Sequence, residues 1–165
     1  PLYSSAASDV YKRQTQNRSV AVRAADVPDP PPVDSAALGN GFVHFRAMCV
    51  VCHGAPGVDR GEFGQGLTPT PPRLSRAARR FDSRELFWIV KNGIKMAGMP
   101  AFGPTHGDQD LWAIVAFLER LPEMSDEEYA ALEARYDSAM AADTTGASSG
   151  AGGHSHGPGT PEHGH

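Results

Sequence analysis

Cys49 and Cys52 are the only cysteines in the chain, and His53 follows the second directly, in Cys49-Val50-Val51-Cys52-His53. This is C-x-x-C-H, the spacing by which a c-type haem is attached. Two thiols separated by two residues can reach the two vinyl-derived carbons on one porphyrin edge, and the next residue offers an imidazole nitrogen beneath the iron. Three other chemistries compete. A dithiol redox pair normally opens a helix that follows a strand, whereas here the pair closes a helical pattern and no strand precedes it. A structural zinc site needs four ligands, and beyond the motif only His44, His106 and the tail histidines remain. Chance placement at a helix end is the third. The spacing favours haem.

The elements that must position these residues are helical. Asp34 or Ser35 can cap a first helix running to about Cys49, in which Leu38, Phe42, Phe45 and Met48 keep helical spacing. About 28 residues rich in Gly, Pro and Arg follow His53, as expected of a loop wrapped around something. Asp82-Ser83-Arg84-Glu85 has the form of a capping box. It starts a helix carrying Leu86, Phe87, Ile89 and Val90, with Gly93 as its C-terminal glycine. A second loop, 94–106, holds Met96, Met99 and Pro100. Gly107 or Asp108 opens a helix with a broad apolar face from Leu111 to Leu121, ended by Pro122. A further capping box at Ser125–Glu128 begins a helix with a narrow stripe of Leu132, Tyr136 and Met140. No strand pattern and no repeat is visible, so the class is all-α.

The charge is uneven. Residues 39–120 carry a net +3 and residues 121–165 a net −7, within an overall −4. No segment has the basic density of a nucleic-acid binder. Lys91, Lys95, Arg73, Arg76, Arg79 and Arg80 are candidates for a positive rim that docks acidic redox proteins, or equally for a solvated face with haem propionates among the arginines. No run of 18 apolar residues occurs, so no transmembrane helix is expected.

The order of motifs resembles class I cytochromes c. CVVCHG is followed by PPRL at 71–74, KNGIKMAGMPAFG at 91–103 and DLWAIVAFLERLP at 110–122, with Gly41 and Phe45 standing where that family has a glycine and an aromatic. The resemblance covers 35–122 and is closest to the small single-haem domains of bacterial respiratory chains and dehydrogenase complexes. It implies a cytochrome c fold with helices around one covalently bound haem c. Cys49 and Cys52 would form the thioethers, and His53 would ligate iron through Nε2 while its other N–H donates to a backbone carbonyl, that of Pro72. Met99, in Gly98-Met99-Pro100, would be the sixth ligand, with Met96 as the competing thioether. Gly41 would let the C-terminal helix approach closely, and Phe45 would pack on Ile114 and Phe117. His44 is expected at the surface and His106 near a helix cap.

A haem with both axial positions filled suits outer-sphere one-electron transfer, so the implied function is an electron carrier, or the cytochrome subunit of an oxidoreductase complex, rather than an enzyme. The alternative is a haem sensor or enzyme whose sixth position is vacant or displaceable. Open-iron four-helix cytochromes place the attachment motif near the C-terminus, and 112 residues follow His53 here. Covalent haem implies maturation in the periplasm or at the outer face of a bacterial membrane.

Five segments are expected. Residues 1–14 contain SSAASDVYKRQ, which resembles translated sequencing-adaptor read-through, and are expected to be non-native; an export signal or membrane anchor would then be missing with the true N-terminus. Residues 15–34 form a Pro-rich linker suited to a tether, 35–122 the cytochrome c domain and 123–142 an additional helix. Residues 143–165 form a disordered His/Gly-rich tail whose His154, His156, His163 and His165 offer weak Cu, Ni or Zn binding.

Overall fold

In the computed structural model, described over residues 3–146 for the backbone and 10–141 for side chains, eight α-helices and short 3-10 and π turns are present. They are α1 (Tyr3–Ala24), α2 (Ser35–His44), α3 (Val50–His53), α4 (Glu62–Gly66), α5 (Leu74–Ala77), α6 (Ser83–Asn92), α7 (Asp108–Arg120) and α8 (Asp126–Gly146). Among the described residues the only β-pairing is two isolated bridges, Ala55–Val58 and Ile94–Met99. The protein is all-α. Residues 1–129 form one compact unit and 130–165 a second.

The core of the first unit is the crossing of α2 with α7. Helix α7 buries every side chain from Ala113 to Leu118, which a helix does only when other elements cover it on several sides. At the crossing, a Cβ on Gly41 would lie 2.0 Å from the carbonyl oxygen of Ala113 and 3.0 Å from Cβ of Phe117. Only hydrogen fits there. The close approach brings Phe45 and Phe117 to 5.1 Å between ring centroids and Phe42 and Phe117 to 5.6 Å. Tyr129, wholly buried, joins the same cluster at 5.9 Å from Phe42. Helix α6 packs beside it through Phe87 stacked on Trp112 at 4.2 Å.

The helix starts agree with the caps in the sequence. The Asp34 side chain accepts from Ala37 N at 2.7 Å. Asp82 and Glu85 satisfy each other's backbone N–H groups at 2.8 and 3.0 Å, and Ser125 and Glu128 do the same at 3.1 and 2.8 Å.

Three segments differ from expectation. The helix expected to end near Cys49 continues through His53. It passes through a π turn at Phe45–Cys49, where the Val50 N–H reaches Phe45 O. The wider turn takes up one extra residue and so rotates the Val50–His53 segment by about 100° relative to an unbroken α-helix. The stretch after His53 is not a bare loop but holds α4, α5 and a 3-10 turn at Ala78–Arg80. Residues 15–24, expected as linker, and most of 1–14 lie in α1. Val20 and Ala24 are buried there, and the Arg23 guanidinium sits over Trp88 of α6 at 5.9 Å. Within the expected linker only 25–34 lies outside regular structure, and its prolines form one wall of a groove against α2 and α7. The polyproline run thus lies along the domain. The tail beyond residue 146, with its four histidines, lies outside the described residues.

Candidate haem site

The attachment turn is built by neighbours that press against it. Gly54 ends α3 at φ +68, a conformation that favours glycine. A Cβ on Gly64 would lie 2.4 Å from the Cys52 carbonyl oxygen, so α4 rests directly on the Cys52 backbone. The Gly61 N–H donates to Val51 O at 3.0 Å. Cys49 and Cys52 are both free thiols and half-buried. Burial, and to a lesser degree the neighbouring Cys52, pushes the Cys49 thiol up to about 12.

The Nδ1 of His53 lies 2.7 Å from the carbonyl oxygen of Pro72. A carbonyl only accepts, so Nδ1 carries the proton and Nε2 keeps its lone pair. Burial holds the His53 pKa below its ordinary value; the bond to Pro72 opposes this, and the charge of Arg60 reinforces it. The ring is therefore oriented and presented in the tautomer a metal requires. Pro72 is held in turn through Arg73, whose guanidinium donates to Val58 O at 2.7 Å, to Ala55 O at 3.3 Å and to Asp59 at 2.5 Å.

The second loop is closed by the Ile94–Met99 bridge, in which Ile94 N donates to Met99 O at 3.1 Å. Met96 occupies the tip at φ 64 and is 98% exposed. Met99 sits at the base of the loop, half-buried. The donor set of two unpaired thiols, an imidazole with one nitrogen engaged and a half-buried thioether fits an iron porphyrin.

Other residues fall differently from expectation. His44 is not simply at the surface: its ring lies 5.1 Å from that of His106, and its Nε2 is 3.7 Å from Asp110. His106 stands as expected beside the N-cap of α7, Gly107, and engages Thr105 at 2.9 Å. These contacts, with Asn40 donating to Asp110 at 3.1 Å, fasten the end of α2 to the start of α7. Of the candidate positive rim, Arg73 is engaged inside the first loop, Arg79 donates to Pro122 O at 2.6 Å and Lys91 pairs with Asp108 at 2.6 Å. Arg76 and Lys95 are exposed. Among the described residues no group of three or more His, Cys, Asp or Glu side chains is placed to hold a metal ion. No helix among them is long and apolar enough to cross a membrane.

Two residues that matter here were not singled out in the sequence. Arg60 stands near enough to His53 to affect it, and only its place seven residues past the motif would have hinted at this. Tyr129, at the start of α8, extends the stripe of Leu132, Tyr136 and Met140 by one turn, and helical spacing is the signal that could have found it.

A family model described as cytochrome C oxidase, cbb3-type, subunit III matches residues 36–118, half of the chain. These residues run from the first turn of α2 to Leu118 of α7 and include the attachment turn, Pro72 and both loop methionines. No curated protein matches the chain.

Proposed function

The chain belongs to the family of cytochrome c oxidase, cbb3-type, subunit III, and from that premise we propose that it carries single electrons through one covalently bound haem c. Cys49 and Cys52 hold the porphyrin as thioethers, and His53 Nε2 and Met99 sulfur are the axial ligands. The observation that carries this reading is the 2.7 Å contact from His53 Nδ1 to Pro72 O, because it leaves Nε2 free on the residue next to Cys52.

The haem supplies a reversible one-electron couple, and a thioether ligand raises its potential relative to two imidazoles. The chain supplies the rest. Pro72 fixes the plane of the His53 ring. The bridge at Ile94–Met99 and Pro100 hold the Met99 backbone, so the same ligand is offered in both oxidation states. The exposure of Met96 at the loop tip supports Met99 as the ligand.

With both axial positions taken, no substrate can bind iron, and the protein acts as a carrier or as the cytochrome subunit of a redox complex. Its partners are other redox proteins, and its place is the periplasm or the outer face of a bacterial membrane, where covalent haem is matured. Weak Cu, Ni or Zn binding by the tail histidines is part of the proposal. The test is intact mass and a pyridine haemochrome spectrum of protein expressed with a cytochrome-maturation system. One haem added per chain is expected; a mass equal to the polypeptide, with both thiols open to alkylation, would overturn the reading. Ready binding of carbon monoxide by the ferrous protein would instead favour a sensor or enzyme with a displaceable ligand.

A further inference from the structure

A groove of about 670 Å³ lies between the strap 29–34 and helices α2 and α7. It follows α7 from Gln109 to Glu119, about 15 Å of helix at roughly 1.5 Å per residue. Its floor is apolar, made by Ala37, Ala113, Val115, Ala116 and the half-buried ring of Trp112. None of its lining residues belongs to the attachment turn, to Pro72 or to the Met99 loop.

Apart from the amides of Asn40 and Gln109, the side-chain polar groups around this floor are acceptors. Asp29, Asp34 and Glu119 line the groove, and no Lys, Arg or His does. Asp29 is met by Arg84 at 3.5 Å. Among the described residues Asp34 and Glu119 have no ion-pair partner. One oxygen of Asp34 accepts from Ala37 N and one of Glu119 from the Ser83 hydroxyl, which leaves each carboxylate a second oxygen. Pro30, Pro31 and Pro32 have no N–H to offer, and their carbonyls accept no backbone hydrogen bond among the described residues. Phe87 covers one face of the Trp112 indole at 4.2 Å, and Trp112 still lines the groove. The groove thus combines an aromatic ring, a wall without donors and unanswered negative charge.

We propose that this groove seats an arginine-bearing segment of another protein chain. A guanidinium is flat, carries five N–H donors and stacks on aromatic rings, so one group answers the carboxylates, the proline carbonyls and Trp112 together. A lysine ammonium has fewer donors and no plane to lay on the indole. The length of the groove matches about five residues of extended chain, more than a free guanidinium fills. The C-terminal part of this chain does not suit it, because residues 121–165 carry a net −7 and one cation, Arg135. A chain held here is anchored on a surface separate from the one that would exchange electrons, and the inference does not rest on the haem reading.

The experiment titrates the isotope-labelled full chain and follows the Trp112 indole N–H and the Asn40 and Gln109 side-chain amides by NMR. The probes are the peptide acetyl-Ala-Leu-Arg-Leu-Ala-amide, its citrulline analogue, which keeps the shape and loses the charge, and guanidinium chloride. The arginine peptide should shift these signals and saturate, and the citrulline peptide should bind about fivefold more weakly. Guanidinium chloride, without the apolar neighbours, should bind more weakly than either peptide. Glu119→Gln should weaken the arginine peptide by about fivefold, while the exposed control Glu62→Gln should match wild type. If Glu119→Gln does not fold, the three probes on wild-type protein carry the test alone. Equal affinity for the two peptides, or signals that none of the probes moves, overturns the inference. Guanidinium chloride binding as tightly as the arginine peptide overturns it too, in favour of a small cation. A dimer in sedimentation that Glu119→Gln dissociates would give the groove to a second copy of this chain and likewise overturn it. Each of these results leaves the haem reading intact.

Discussion

Gly93 and Met99 are packed so closely that no side chain fits between them. A Cβ on Gly93 would lie 2.6 Å from the carbonyl oxygen of Met99 and as near to the carbonyl carbon of Pro100. Gly93 also has φ +67, where an L-residue is strained. The C-terminal glycine of α6 is therefore also the surface against which the Met99–Pro100 segment lies. The end of one helix sets the position of the loop thioether.

Gly93→Ala should then act on both stability and ligation. Strain at φ 67 and ψ −173, a region held almost solely by glycine, costs roughly 1–3 kcal/mol and overpacking adds about 1–3 kcal/mol, so a loss of about 2–6 kcal/mol is expected in thermal or urea unfolding. The same variant should weaken the ferric thioether-to-iron absorption band at the red end of the visible spectrum. An alanine that leaves melting temperature and band unchanged would show that the loop does not depend on this contact.

Two glycines on α2 give opposite expectations. Gly41 faces the Ala113 carbonyl at 2.0 Å from its would-be Cβ, whereas Gly39 has nothing within 4 Å. Gly39→Ala should stabilise by about 0.5–1 kcal/mol through helix propensity alone. Gly41→Ala should force α2 and α7 apart and cost about 3 kcal/mol. Urea denaturation of the two variants measures both signs, and equal effects would contradict the close crossing.

Much of the fold was legible in the sequence because the signals were local. Capping boxes at Asp82 and Ser125 need only residues three apart, and Gly93 stands at the end of an apolar period. The α2–α7 crossing was legible through Gly41 and Phe45, where the resemblance supplied a long-range pairing that periodicity cannot. What escaped depended on tertiary context. The π turn at Phe45–Cys49 is followed only by Val50–His53, too few residues for a shifted apolar period to show. The short helices α4 and α5 have too few residues for any period to show. Helix α1 was hidden by a weak apolar stripe, in which burial of Val20 and Ala24 against the rest of the unit does what propensity does not announce. Arg73 looked like surface charge, since a sequence cannot show that Asp59 and two loop carbonyls surround it. The proposed haem ligands Cys49, Cys52, His53 and Met99 are named by the sequence, because each lies in a short local motif.

The two loop methionines separate by their positions. Met99→Ala in the holoprotein should abolish the ferric thioether band. It should also lower the reduction potential by roughly 0.1–0.3 V, within the span of about 0.8 V that axial ligands command. Met96→Ala removes a side chain that lies in solvent, and spectrum and potential should stay at wild-type values. Loss of the band in Met96→Ala and not in Met99→Ala would exchange the two assignments.

Cys49 gives a prediction in pH. Burial raises its pKa from an ordinary value near 9 to about 12, and the thiolate is the form that reacts with alkylating agents. In folded protein without haem at pH 8, the thiolate fraction of Cys49 should be lower by about a thousandfold than in the unfolded chain. Iodoacetamide labelling and peptide mass analysis should therefore find Cys49 protected, with the protection lost in urea. The linkage has a definite sign. Because the folded state holds the proton more tightly, the unfolded chain ionises first as pH rises above about 9. The contribution of this thiol to stability is complete below that pH and is lost as pH climbs toward 12. A Cys49→Ala variant should lose this part of the alkaline decline. Labelling of Cys49 at the same rate in buffer and in urea would mean that the packing around the attachment turn does not enclose the sulfur.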